Sequence, residues 1–182
     1  MTAAAKYLTP VLLELGGKNP VVIDSDSDIE EVAKRIIYSK TYNCGQICIS
    51  SDYVLTTEQI KPKLIAALTK HYEKMAPFKE NKAFVKSFDE AIGWGRDNEK
   101  PLGAYLFTEN PDKVKRFLLE TSSGGVTVND VMSHVFVSTL PVGGVGNSGM
   151  GRINGKYGFD NFVHEKPILV RKGLGKEVVA RL

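Results

Sequence analysis

The sequence predicts an α/β fold with a mostly parallel sheet and flanking helices, on three observations. Short β-rich runs alternate with amphipathic helical periods along most of the chain. Helical periods open at residues suited to capping, and glycine and proline punctuate the boundaries. The 182 residues are 42% apolar and 25% charged, an ordinary globular composition that can bury a core without disulfides. All of 1–182 reads as one domain, with a first segment over 1–72 and a second over 84–182.

Val21-Val22-Ile23 reads as a short buried strand, closed by Asp24-Ser25-Asp26-Ser27-Asp28. Ile29, Val32, Ala33, Ile36 and Ile37 then recur at helical spacing, which predicts a helix from Asp28 to Tyr42 with three aspartates at its positive end. After the loop holding Gly45 and Cys48, Tyr53-Val54-Leu55-Thr56 predicts a strand. Ile60, Leu64, Ile65, Leu68 and Tyr72 predict a second amphipathic helix, with Pro62 in its first turn. Residues 73–86 are lysine-rich and show no period. Beyond them, Phe88 to Gly95 reads as a helix and Leu102 to Phe107 as a strand. Asn110-Pro111 is a cap and first-turn proline for a helix burying Val114, Phe117 and Leu118; Val126-Thr127-Val128 is another strand. No internal repeat is present.

The net charge of +3, with lysines scattered among acidic residues, argues against a nucleic-acid partner. Two cysteines four apart are too few ligands for a structural zinc, and they fit a reducing compartment. The expectation is a cytoplasmic chain with neither signal peptide nor membrane span.

Two motifs carry chemistry: Leu13-Glu14-Leu15-Gly16-Gly17-Lys18-Asn19-Pro20 and Asn43-Cys44-Gly45-Gln46-Ile47-Cys48-Ile49-Ser50. A thiol that forms a covalent adduct, with a carboxylate that activates water against it, makes a two-step covalent catalyst. Cysteine as a type is more often a small buried hydrophobe. Here Gly45 and Gln46 pack poorly and expose backbone amides beside Cys48, suited to a reactive thiol. Glu14 between two leucines would ordinarily be a surface residue of an amphipathic strand, but the following glycines allow a sharp turn. Flanking leucines would partly desolvate it, a condition that suits a base working near neutral pH.

In these motifs the chain resembles the aldehyde dehydrogenase superfamily, and most closely its class 3 and fatty-aldehyde branch. Further matching stretches are Thr121 to Asp130, Leu140 to Gly151 and Gly155 to Asp160; together the matches cover most of the chain outside residues 70–86. The resemblance implies Cys48 as nucleophile, with Cys44 a neighbour, Glu14 as general base, and Asn129 as a scaffold residue, with Gly45 and Gln46 in support. It implies an aldehyde substrate oxidised to a carboxylic acid through a Cys48 thiohemiacetal and thioester, with NAD or NADP as hydride acceptor. Val142 stands where the branch usually has Phe, and Ser50 and Thr41 also depart from its commonest residues; these changes bear on pocket shape. A homo-oligomer or a full-length paralogue is the implied protein partner.

Two patterns are decoys. Gly144-Val145-Gly146-Asn147-Ser148-Gly149 satisfies G-x-G-x-x-G, but Pro141 precedes it and Gly151 and Gly155 follow, without the strand and helix a pyrophosphate site needs. Asp24-x-Asp26-x-Asp28 mimics a calcium loop, but Ile29 and Arg35 occupy the required glycine and glutamate positions. His71 is expected to be solvated, and His134 and His164 to be hydrogen-bonded structure. The resemblance also implies a cofactor domain before this sequence and a ribose-holding segment after the second amphipathic helix. Neither is found, and His71 to Ala83 bridges the second gap. Weak or absent NAD(P) binding by this chain alone follows, and two alternatives stand beside impaired dehydrogenation: a cofactor-independent thiol esterase, or a non-catalytic remnant that pairs with a partner.

Overall fold

A computed structural model describes residues 1–74, 85–171 and 177–180. Most of the lysine-rich stretch 73–86 and of the bridge from His71 to Ala83 lies outside the described residues.

The chain opens with a helical turn, α1 (Thr2–Ala5), and a two-residue strand, β1 (Leu13–Glu14). Then follow β2 (Asn19–Ile23), α2 (Ile29–Thr41), β3 (Ser51–Thr56), α3 (Lys61–Glu73), α4 (Phe88–Asp97), β4 (Gly103–Phe107), α5 (Pro111–Glu120) and β5 (Gly125–Val128). The last elements are β6 (Gly149–Met150), α6 (Gly155–Asp160) and the strands β7 (Ile168–Arg171) and β8 (Glu177–Ala180). The central sheet is four-stranded in the order β3-β2-β4-β5, and every pairing in it is parallel. The expected α/β architecture is therefore present. Two antiparallel pairings, β1 with β6 and β7 with β8, went unpredicted; the two-residue strands β1 and β6 are too short to show a period.

Alternation along β2 and β4 sorts the core into two layers. Val21, Ile23, Tyr105 and Phe107 face Val32, Ala33, Ile36 and Ile37 of α2 and Leu64, Ala67 and Leu68 of α3. Val22, Ala104 and Leu106 face the other way, toward Ala91 and Ile92 of α4 and Phe117 of α5. Both faces of a parallel sheet are thereby covered, which is why its strands read as unbroken apolar runs.

Side chains cap α2, α4 and α5, with one correction to the expectation at α2. Only Asp28 caps α2, accepting from the amides of Glu30 and Glu31. Asp24 pairs with Lys113, and Asp26 accepts from Thr108 and the Glu109 amide, so these two tie the β2–α2 loop to the β4–α5 loop. Burial pushes the Asp24 carboxyl up, but Lys113 and the Ser25 amide outweigh it and hold the group below its ordinary range. Asn110 caps α5, with Pro111 at its first position. His71 is not simply solvated: its Nε2 lies 3.1 Å from the Glu30 carboxylate.

Candidate functional site

The β2–β3 pairing starts irregularly, because Pro20 has no N–H to give the ladder. Asn19 opposes Ser51 while Pro20 opposes Tyr53, which leaves Asp52 as the extra residue. The Asp52 carboxylate takes the Asn19 backbone N–H at 3.1 Å. Lys18 and Lys40 bring ammonium groups to 4.0 and 3.9 Å from the same carboxylate.

Cys48 stands just before this irregular start. Helix α2 ends at Thr41, and the chain reverses through Asn43 (φ 48°), Cys44 (φ 57°) and Gly45 (φ 74°). Left-handed backbone is tolerable for Asn and Gly but costs about 1–2 kcal/mol for a residue such as Cys. A second turn follows, closed by the Ser50 amide on the Ile47 carbonyl at 2.9 Å. Ile49 plugs into the core while Cys48, at the turn, is exposed. Cys44 is exposed as well. The hydroxyls of Ser50 and Ser51, two and three residues on, are buried without a hydrogen-bond partner among the described residues.

Glu14 arrives from the other side. It pairs with Gly149 across the antiparallel β1–β6 contact, and the Leu15 amide donates to the Ser148 carbonyl at 3.0 Å. Two residues on, the chain runs beside the Cys48 loop. A Cβ on Gly16 would stand 3.7 Å from the Cys48 carbonyl oxygen and 3.8 Å from the Cys48 Cβ. The structure thus brings the Glu14 and Cys48 segments into contact. It corrects one expectation: Glu14 is exposed and Leu15 is 64% exposed, so the flanking leucines do not enclose the carboxylate.

The supporting residues divide. Gly45 and Gln46 belong to the Cys48 loop, where Asn43 closes onto Gln46 through the Gln46 amide at 3.1 Å and the Gln46 carbonyl at 3.2 Å. Asn129 lies elsewhere. It follows β5, at φ 58°, and its side chain holds the Thr108 amide and carbonyl at 3.0 and 3.1 Å. That is the far end of the sheet from Cys48, one strand length of roughly 16 Å along the strands and three strand spacings across. Asn129 therefore secures the sheet and touches the Cys48 loop through none of its described hydrogen bonds.

Sequence reasoning missed Asn19 and Tyr105, both fully buried. Asn19 donates to the carbonyls of Cys48 and Ser50, and the Tyr105 hydroxyl donates to the carbonyl of Ile49. Asn19 had a visible signal, a polar residue at a proline-led strand start inside the Glu14 motif. Tyr105 had none beyond its place in an apolar run.

The G-x-G-x-x-G pattern has a use other than phosphate binding. A Cβ on Gly144 would meet the Ser148 carbonyl group at 2.3 Å, and one on Gly149 the Leu13 oxygen at 2.2 Å. The pattern opens only a three-residue 3₁₀ turn, Gly146–Ser148, and not the α-helix whose N-terminus a pyrophosphate needs. These glycines let the segment close tightly on β1, the strand that carries Glu14. Among the described residues no group of three or more His, Cys, Asp or Glu side chains could hold a metal ion, and no helix is long and apolar enough to cross a membrane.

A family model described as the aldehyde dehydrogenase family matches residues 1–84 and 82–168. The chain belongs to the aldehyde dehydrogenase family. Similar proteins include aldehyde dehydrogenase family 3 member A2 of Mus musculus, 36% identical over 246 aligned positions that take in all of this chain and 51% of the relative. The dimeric NADP-preferring aldehyde dehydrogenase of Rattus norvegicus is 34% identical, over 97% of this chain and 53% of its own length. A solved structure titled as a substrate-bound state of Staphylococcus aureus AldH superposes with a TM-score of 0.86 at 29% identity, covering 96% of this chain and 53% of that one. The chain thus spans about half the length of the aldehyde dehydrogenases it matches. The 246 aligned positions exceed its 182 residues, so relatives carry residues with no counterpart here. The two model matches meet at 82–84, inside the stretch where the sequence implied a missing segment.

Proposed function

We propose that this chain carries the covalent-catalysis portion of an aldehyde dehydrogenase, with Cys48 as nucleophile and Glu14 as base. The observation that carries the reading is the contact of Gly16 with Cys48, which delivers the Glu14 strand to an exposed thiol on a fixed turn. The Cys48 sulfur adds to the carbonyl carbon of an aldehyde, giving a thiohemiacetal. NAD or NADP, the class of acceptor named for relatives, would take the hydride in the complete enzyme. The G-x-G-x-x-G glycines do not make a dinucleotide site, because no α-helix opens at them and backbone crowds Gly144 and Gly149. No oxidation step is therefore derived for this chain alone, and its dehydrogenation is read as impaired.

A balanced reaction remains within its reach. The Cys48 thiolate attacks an activated ester, a tetrahedral adduct forms, and the alkoxide or phenolate leaves with a thioester behind. Glu14 takes a proton from water as that water attacks the thioester, releasing the carboxylic acid and restoring the thiol. A non-catalytic role beside a full-length paralogue is the outcome if this chemistry fails. The dimeric naming of one relative supports self-association, and two free thiols support a cytoplasmic setting.

The deciding experiment is an ester burst assay with p-nitrophenyl acetate. Cys48→Ala abolishes acylation. Glu14→Gln keeps an initial burst of one acyl group per chain and slows later turnover by about 10²- to 10⁴-fold, the usual cost of removing a positioned base. Unchanged steady-state turnover in Glu14→Gln removes Glu14 from the role of base.

A further inference from the structure

We infer that Asn19 and Tyr105 act together as a clamp that positions the Cys48 thiol; this rests on the assignment of Cys48 as the nucleophile. Three consecutive carbonyls, those of Cys48, Ile49 and Ser50, are all taken by these two side chains. Asn19 Nδ2 donates to Cys48 at 2.8 Å and to Ser50 at 2.9 Å, using both of its protons. The Tyr105 hydroxyl donates to Ile49 at 2.6 Å. Asn19 is 1% exposed and Tyr105 is 0% exposed, so both donors are shielded from water, and the bond to Ser50 is buried as a whole.

Each donor is itself held in one orientation. The Gly103 amide donates to Asn19 Oδ1 at 2.9 Å. A flipped Asn19 amide would set its NH2 against that donor and its oxygen against two carbonyls, so only the observed orientation satisfies all four groups. Burial pushes the Tyr105 phenol far above its ordinary range, and the nearby charges of Cys48 and Asp52 add to the shift. Tyr105 therefore remains a donor at every working pH.

The consequence for the thiol is geometric. In a trans peptide the C=O and the following N–H point in opposite directions. Drawing the Cys48 carbonyl inward to Asn19 turns the Ile49 N–H away from Asn19. Fixing the planes on either side of Ile49 sets the Ile49 backbone, and the plane before Cys48 is held by the Ser50 amide donating to the Ile47 carbonyl at 2.9 Å. Between these planes the Cys48 backbone has little freedom to rotate, and the thiol is held at the exposed turn. Asn19 also lies two residues beyond Gly17 and accepts from Gly103 at the start of β4, so one amide joins the base-bearing segment, the nucleophile loop and the sheet. No such clamp holds Cys44, in the left-handed part of the same loop, among the described hydrogen bonds.

Cys44 therefore serves as an internal reference. The experiment measures iodoacetamide alkylation rates at Cys48 and Cys44 by mass spectrometry, in the full chain and in Tyr105→Phe and Asn19→Ser. Each is repeated in sucrose, which suppresses labelling through unfolded molecules. The unsubstituted chain labels Cys48 ahead of Cys44. Tyr105→Phe lowers the Cys48-to-Cys44 ratio by about 2- to 10-fold, the effect of losing one ordinary hydrogen bond. Asn19→Ser, which loses three, lowers it by at least as much, and sucrose restores neither. With p-nitrophenyl acetate the burst amplitude, which counts folded chains, holds while the burst rate constant falls. Tyr105→Phe removes a single oxygen and decides the matter if Asn19→Ser does not fold. Ratios unchanged in both variants, or restored by sucrose, overturn the clamp and leave Cys48 as nucleophile. Faster labelling of Cys44 in the unsubstituted chain overturns the nucleophile assignment itself.

Discussion

Replacing Gly149 with Ala should damage hydrolysis more than acylation, because Gly149 is where β6 grips the strand of Glu14. Gly149 has φ 153° and ψ −176°, a region that only glycine visits without strain. A side chain there costs about 1–3 kcal/mol from the backbone alone. Its Cβ would also stand 2.2 Å from the Leu13 oxygen, and overpacking of this kind adds about 1–3 kcal/mol unless the strands part. Parting is the cheaper route. Opening the β1–β6 contact by roughly 1 Å displaces Glu14 by a similar amount, enough to cost about 10²-fold in a positioned step. Urea unfolding should show a midpoint lower by roughly 1 M, taking a loss near 2 kcal/mol and a slope near 2 kcal/mol per M. In the ester assay the burst should survive while steady-state turnover falls. Gly146→Ala is the control, since its Cβ would meet only Lys100 Cδ at 3.6 Å; left-handed strain of about 1–2 kcal/mol is its whole penalty, with turnover intact. Unchanged unfolding and turnover in Gly149→Ala would refute the view that this glycine positions Glu14.

Three other outcomes follow from the same geometry. His134 is 8% exposed, lies 2.8 Å from the Thr127 hydroxyl, and burial pushes its imidazole below its ordinary value. The unfolded chain therefore binds the extra proton first, so stability is full above pH 6.5 and declines as pH falls below it, by at most about 1.4 kcal/mol per pH unit. His134→Gln should flatten that slope in urea midpoints taken between about pH 5 and 8, and parallel curves would dismiss the mechanism. Ser50→Ala removes a buried hydroxyl without a partner and should raise stability by about 1 kcal/mol; a loss of that size would show that the hydroxyl is satisfied in solution. Calorimetry should find NAD and NADP binding to this chain weaker than micromolar, about −8 kcal/mol, with micromolar affinity the contrary result.

Much of the sheet was legible because its signals are local. Val21-Val22-Ile23, the α2 period and the Asn110-Pro111 cap each declare themselves within a few residues. The motifs pointed to Cys48 and Glu14, whereas Tyr105 gave no signal and Asn19 only its polar place at a proline-led strand start. Their value lies in hydrogen bonds to carbonyls 29 to 56 positions away in the sequence, which no window contains. The three aspartates before α2 show the opposite failure. Composition suggested one shared role, but position gave Asp28 the cap and sent Asp24 and Asp26 to a neighbouring loop.

The strand order β3-β2-β4-β5 bears on how this chain tolerates changes of length. β3 and β4 flank β2 and never pair with each other, so their connection has only to close a loop around a strand already placed. Loop-closure entropy grows with the logarithm of length, and doubling such a connection costs only about 0.6 kcal/mol. Burying Leu106 alone outweighs that, since truncating a buried leucine costs about 2–5 kcal/mol. The register of the sheet is thus set by side chains and is nearly indifferent to how many residues lie between α3 and α4. A chain shorter there than its relatives can keep the same parallel sheet, and residues grafted back at that point should leave the pairing of β2 undisturbed.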